Sequence, residues 1–290
     1  MCDHCLKHGT AGKWYLNAEN YSKELAEELN LKEFFLEQYK NFEAMQVRKI
    51  AGLDGVGLGY KIKMPIIGRI TKHFAEKMLH SQKPKHNPFR AEGHIGQVIP
   101  LHDATSILEH CVDEDSIILK YCMCRFMHQN VKEACCINFG IMSEVIDKLP
   151  RFKPEKDKFH ISKDEAIAKF KSFHEKGYIG TIWYGMYPYI SNLCACATPA
   201  CAGIRPRVEF DIKTVFKAEY VAQIDPDNCQ GCKSCINACK FDAIHFNEKE
   251  KVSEVDLQKC YGCGVCIQRC KFDALILRDR KAIPEIALEY

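Results

Sequence analysis

A chain of 290 residues with 47% hydrophobic and 27% charged side chains has room for more than one packed unit, and its composition excludes collagen-like and disordered classes. Net charge is only +3 and mean hydropathy is -0.26, with no run of 18 apolar residues, which argues against a membrane span. The 18 cysteines make up about 6% of the chain, below the density of a short secreted disulfide scaffold. The start, MCDHCLKHG, has no apolar signal core, so a reducing cytoplasm is the expected compartment.

Cys2 and Cys5, with His4 and His8, form either a candidate half-site for a further metal or a frayed terminus. Ser22 is placed to cap a helix running to about Lys49, with Leu25, Leu29, Phe35, Phe42 and Met45 near helical spacing. Glu19 to Glu43 carries seven acids against three lysines. Tyr60 to Arg90 carries eight basic residues (Lys61, Lys63, Arg69, Lys72, Lys77, Lys83, Lys85, Arg90) against Glu76 alone. Such a dipolar surface would steer an oppositely charged partner, or is simply solvated; no nucleic-acid motif accompanies it. Gly55, Gly57 and Gly59 follow a helix and run into Tyr60-Lys-Ile-Lys, so they read as a flexible loop rather than a dinucleotide fingerprint. Lys83 to Phe89 reads as an exposed loop. Asp103 is expected to cap a short helix holding Ile107, Leu108 and Cys111, with Cys111 a core residue. Ser162 and Glu165 form a capping box, Ile167, Phe170 and Phe173 an apolar stripe, and Gly177 a stop.

The middle cysteines fall in islands: Cys122-Met-Cys124-Arg125, Cys135-Cys136-Ile-Asn-Phe139-Gly140, and Cys194-Ala-Cys196 with Cys201. Residues i and i+2 of an extended segment project to one side, so each C-x-C can offer two thiolates to one ion or cluster. The expected site is a 4Fe-4S cluster built by Cys122, Cys124, Cys136 and Cys194, with Cys135, Cys196 and Cys201 as alternatives. Zinc or unligated thiols remain open for these residues.

The densest signal comes last. Cys229-x2-Cys232-x2-Cys235-x3-Cys239 is followed 31 residues later by Cys260-x2-Cys263-x2-Cys266-x3-Cys270, and CQGCKSCINACKFDAI matches CYGCGVCIQRCKFDAL at 10 of 16 positions, an internal duplication. Three cysteines at x2 spacing can wrap one face of an iron-sulfur cube, whereas a zinc ribbon needs neither the third x2 step nor the x3 step. Gly231 and Gly262 sit where backbone must pass close to sulfur.

Over roughly Ala218 to Arg280 these residues resemble the bacterial dicluster ferredoxin domain. The resemblance implies that the fourth cysteine of each run ligates the other cluster: one cluster on Cys229, Cys232, Cys235 and Cys270, the other on Cys260, Cys263, Cys266 and Cys239. The sequence departs where the family's proline after each fourth cysteine is Lys240 or Lys271. From about His94 to Arg280 the chain also resembles a poorly characterised iron-sulfur family that combines C-x-C-R and Cys-x2-Phe-Gly elements, here Cys122, Cys124, Arg125, Cys136, Phe139 and Gly140, with a capped helix and a C-x-C element. Its last island is often richer in cysteine than this one.

Together these features predict an α+β protein: a mainly helical N-terminal platform (1–93), a mainly helical, cysteine-rich central region (94–215) and a two-cluster ferredoxin-like domain (216–290). The implied function is single-electron transfer through two or more 4Fe-4S clusters to or from a partner oxidoreductase, within a multi-subunit complex or as a carrier. An alternative is an enzyme whose central cluster is incompletely ligated, with Arg125, Lys132 or His128 orienting an anionic substrate.

Overall fold

The computed structural model describes residues 13–41, 61–81, 96–155, 158–184, 186–212 and 214–287. Cys2, Cys5, the glycines at 55, 57 and 59, and Lys83 to Phe89 lie outside these residues. Ser22 accepts a hydrogen bond from the Leu25 amide at 3.1 Å and caps α1 (Lys23–Glu28). Within the described residues the helix expected from Ser22 to about Lys49 is broken in two, because Asn30 takes a left-handed conformation (φ 52°) and α2 restarts at Leu31–Lys40; its expected end, with Phe42 and Met45, lies outside them. Asn tolerates that conformation better than most residues, and the break lets Leu31, Phe35 and Tyr39 bury against Ile141, Val145 and Phe152. Helix α3 (Ile67–Ser81) follows, held to the body by Ala75 against Phe210 and Ile212.

Strand β1 (Gly96–Val98) leads into α4 (Leu101–Ser106), which continues as a π-turn over Ile107–Cys111. Asp103 is not its cap: the helix begins after Pro100, and Asp103 is buried in the first turn. There it accepts hydrogen bonds from Tyr15 Oη at 2.7 Å and Lys13 Nζ at 3.1 Å, since a carboxylate taken out of water needs such partners. Cys111 is a core residue, its thiol directed at the Leu16 carbonyl.

The central region, expected to be mainly helical, combines its helices with a six-stranded sheet in the order β2-β3-β5-β4-β1-β6, where β2 is Ile118–Tyr121, β3 Ala134–Asn138, β4 Ile179–Trp183, β5 Asn192–Cys196 and β6 Val215–Phe216. All pairs are antiparallel except β1 with β6. Between the strands run α5 (Met123–Gln129), α6 (Ile141–Asp147) and α7 (Lys163–Glu175). The Ser162–Glu165 capping box of α7 is formed, and Gly177 follows with φ 86°.

Side chains alternate across the sheet. Ile137, Ile182, Leu193 and Ala195 face one core, together with Trp14, Tyr15, Phe170 and Phe173. Cys136, Cys194, Cys196, Ile179 and Val98 face the other. Helix α8 (Arg205–Phe210) lies beyond Cys201.

The C-terminal unit pairs β7 (Tyr220–Ile224) with β10 (Leu275–Asp279), and forms a hairpin from β8 (Ile244–Asn247) and β9 (Val252–Val255), with α9 at Ser234–Ala238. The duplication extends to the backbone, where equivalent positions are left-handed in pairs: Gly231 and Gly262 (φ 62° and 66°), Lys233 and Gly264 (61° and 76°), Asp242 and Asp273 (52° and 51°). Among the described residues no helix is long and apolar enough to cross a membrane.

Candidate iron-sulfur sites

The sheet register brings the cysteine islands together. Cys136 and Cys194 are directly paired across β3 and β5, with their sulfurs 3.2 Å apart, and Cys196, two residues on, lies 3.2 Å from Cys201. Cys122 stands at the N-cap position of α5 rather than extending a strand, and Cys124 sits in that helix's first turn. This C-x-C therefore works through a helix start and not through strand alternation. Cys122 interacts with Cys124, Cys135 and Cys136, and Cys124 with Cys201. The six thiols of Cys122, Cys136, Cys194, Cys196, Cys201 and Cys124 thus close a ring, and Cys135 joins it beside Cys122 and Cys136. Cys135 is the extra residue of a bulge, Lys120 pairing with Cys136 and Tyr121 with Ala134. All seven middle cysteines expected as ligands or alternatives therefore meet in one place.

The electrostatics are uneven around the ring. Hydrogen bonds from Cys122, Cys135 and Cys194, together with the charge of Lys120, pull the Cys136 thiol well below the usual range. Bonds from Cys124 and Cys196, with the amides of Ile204 and Gly203, do the same for Cys201. Their donors are pushed up: Cys194 chiefly by its bond to Cys136, and Cys196 by Cys194 and Cys201. Cys124 rises to about 12, because donation to Cys201 and burial outweigh the bond it receives from Cys122. Lys120 is 3% exposed; burial alone would push it down, but Cys136, Tyr39, Cys194 and Cys122 hold it charged. One buried ammonium cannot balance seven thiolates, so a fully ionised ring requires bound metal. Asn192 Nδ2 donates to Cys194 at 2.9 Å, and Thr181 Oγ1 lies 3.2 Å from Cys196 with Trp183 Nε1 behind it at 2.8 Å, the kind of outer contact that orients ligands.

The groups considered for substrate binding are engaged by other side chains. Arg125 pairs with Glu133 and stacks over Tyr178 at 4.4 Å, and Lys132 pairs with Glu155 at 2.5 Å on the surface. His128 meets Arg205 at 3.0 Å.

In the C-terminal unit the doubled run lines two clefts. One is lined by Cys229, Cys232, Cys235 and Cys270 with Ile224, Lys233, Ser253, Phe272 and Leu275. The other is lined by Cys260, Cys263, Cys266 and Cys239 with Ala222, Phe241, Tyr261 and Val265. Each combines three cysteines of one run with the fourth of the other. Among the described residues no three His, Cys, Asp or Glu close on a single-ion site; these thiols are instead spread around the lining of each cleft. Amides aim at sulfur, as a cluster's thiolates require: Ala222 and Gly262 at Cys260, and Ala243 at Cys239, each 3.4 Å away. Burial pushes the Cys263 thiol up to about 12 and raises Cys260 and Cys266, whereas Cys232 is exposed and pulled down, first by Ser234. The first cavity is therefore the outer one and the second the inner one.

The inner cavity abuts the thiol ring. Tyr261, Val265 and Cys263 share one buried core with Cys136, Cys194, Cys196 and Cys201. Phe241 stacks on Tyr261 at 4.2 Å, His174 of α7 lies 3.3 Å from the Cys263 carbonyl, and Arg269 donates to the Glu175 carbonyl at 2.9 Å. Sequence reasoning missed Lys120, His174 and Arg280. Lys120 had a visible sign, a lone charge inside the apolar stretch Ile118-Leu-Lys-Tyr121.

Residues 222–277 match the family model of the 4Fe-4S dicluster domain. No curated protein matches the chain.

Proposed function

We propose that this dicluster domain is the exit of a longer electron path, in a protein or subunit that passes single electrons to or from a partner oxidoreductase. The supporting observation is the common core of the thiol ring and the inner cavity. A bound 4Fe-4S cluster supplies a one-electron couple, tuned by its surroundings. Cys229, Cys232, Cys235 and Cys270 hold the outer cluster; Cys260, Cys263, Cys266 and Cys239 hold the inner one. Four thiols of the central ring, Cys122, Cys124, Cys136 and Cys194 with Cys135, Cys196 and Cys201 as alternatives, hold a third.

In this reading 94–215 is the central redox unit and 216–290 the exit, while 1–93 is a docking platform. Cys232 marks the edge where a redox partner approaches, in a cytoplasm that keeps the thiols reduced. The ion pairs of Arg125 and Lys132 favour a carrier over an enzyme with an open cluster.

Anaerobic iron and sulfide analysis with EPR tests this. The wild type should hold about twelve iron atoms, and Cys124→Ser with Cys136→Ser should lose about four while keeping the two C-terminal signals. About eight irons in the wild type would remove the central cluster, and one equivalent of zinc would make that site structural. Turnover of a substrate by the isolated chain with an artificial donor would sink the carrier reading.

A further inference from the structure

The duplication makes the two C-terminal cavities equivalent in their ligands but not in their surroundings. Arg280 is fully buried. Its Nη2 donates to the carbonyls of Cys260 at 2.7 Å and Tyr220 at 2.9 Å, and its Nε to Ala218 at 3.0 Å. Cys260 lines the inner cavity, and Tyr220 and Ala218 lead into β7, whose Ala222 amide reaches the Cys260 sulfur. In the register of the repeat Arg280 stands ten residues after Cys270, and the residue ten after Cys239 is Lys249. That lysine lies exposed in the turn between β8 and β9. The outer cavity has no buried cation to match it: its lining includes Lys233, but that side chain is exposed and lies 3.5 Å from Glu248, and Arg280 itself lies beyond the segment that matches the dicluster family.

From this asymmetry, and resting on the two-cluster reading above, we infer that Arg280 raises the reduction potential of the inner cluster relative to the outer one. Reduction adds one negative charge to a cluster, and net charge, hydrogen bonding and solvent exposure set its potential. Burial of the inner cavity disfavours that added charge, since low-dielectric surroundings penalise ions. A guanidinium held within the same wall offsets this, and at short range in a poorly solvated site its attraction is much stronger than in water. The neighbouring Glu219 and Lys281 are paired at 3.1 Å and cancel; Lys217 donates to the Gln258 carbonyl with its ammonium 6.0 Å from the Tyr261 ring, and Arg280 is the cation bonded directly to the Cys260 carbonyl. Without it, the inner cluster would be a barrier between the central ring and the outer edge. With it, an electron arriving from the ring has a step it can occupy.

The test is an EPR-monitored redox titration of the holoprotein. Hyperfine-shifted NMR signals of Ala222 and Val265 identify the inner cluster, and those of Ile224 and Leu275 the outer. Arg280→Gln, which removes the charge but keeps a donor, should shift the inner midpoint downward and leave the outer one in place, while Arg280→Lys should stay near the wild type. Should Arg280→Gln fail to load iron, Lys281→Gln keeps the three carbonyl bonds and lets Glu219 offset the guanidinium, and must lower the inner midpoint in the same direction. About eight C-terminal iron atoms with an inner midpoint common to wild type, Arg280→Gln and Lys281→Gln overturns the assignment alone. Fewer than about eight irons in the wild type overturns the two-cluster reading beneath it.

Discussion

Replacing Gly262 with alanine tests how tightly the inner half of the dicluster unit is built. Gly262 has φ 66°, and a Cβ there would meet the Tyr220 carbonyl oxygen at 2.1 Å and its carbon at 2.7 Å. The left-handed conformation costs an alanine about 1–2 kcal/mol. Relieving the overlap then requires the β7 backbone to move by nearly an ångström, because the obstacle is main chain. Tyr220 O is held by Arg280 at 2.9 Å, and losing a hydrogen bond to a charged group costs about 1.5–3 kcal/mol. The total, about 2.5–5 kcal/mol, is a large part of the stability of an ordinary domain. Gly231 provides the comparison: its φ is 62°, but its Cβ would meet the Lys251 carbonyl at 2.5 Å, in an exposed turn that can yield. Anaerobic chemical denaturation with iron analysis should therefore rank Gly262→Ala well below Gly231→Ala, with iron lost first from the inner site. Equal midpoints for the two variants, with full iron, would refute the steric reasoning.

Burial holds the His174 imidazole below its ordinary value of 6.5. The unfolded chain then binds the extra proton first as pH falls, so the stability contributed by neutral His174 is present above about 6.5 and lost as pH falls through the folded value; His174→Gln should flatten the fall in melting temperature between about pH 7 and 5, and an unchanged slope would count against it. Cys111 donates to the Leu16 carbonyl at 3.4 Å, away from the thiol ring, and burial pushes it up to about 11. Cys111→Ala should leave the iron content unchanged and cost about 1 kcal/mol in denaturation; any loss of iron would make it a ligand. Asp103→Asn leaves Lys13 and Tyr15 with a neutral partner in a buried site, and should lower stability by about 3 kcal/mol without changing the iron content; stability equal to wild type would show the pair to be incidental.

The legible features were those decided by neighbours in the chain. The doubled run could be read because three ligands at x2 spacing lie within one loop, and the Ser162–Glu165 box because a cap and its partner are one turn apart. Asp103 was misjudged because its partners are Lys13 and Tyr15, some ninety residues away. The central sheet was missed because β2, β3 and β5 are buried on both faces, so no apolar–polar alternation marks them as strands. Cys194 and Cys196 announced a shared face, but their meeting with Cys136 depends on the β3–β5 register, and that of Cys124 with Cys201 on where α5 and α8 begin. Asn30 could have been recognised as a break, since asparagine commonly takes the left-handed conformation it shows.

A duplicated two-cluster unit on its own has no preferred direction, because each half repeats the other. Docking on the sheet removes that equivalence. Tyr261 and Val265 belong to the second repeat and enter the core of the thiol ring, while Cys232 of the first repeat stays at the surface. The contacts that set this polarity, His174 to the Cys263 carbonyl and Arg269 to the end of α7, both engage the second repeat. Gln230 and Tyr261 occupy the same place in the two runs. A glutamine would leave Phe241 without its stacked partner. On the electron path proposed above, Tyr261→Gln should therefore slow exchange between the central ring and the outer cluster while leaving partner reduction by the outer cluster intact. Stopped-flow reduction followed by freeze-quench EPR separates the two steps, and equal slowing of both would place the route elsewhere.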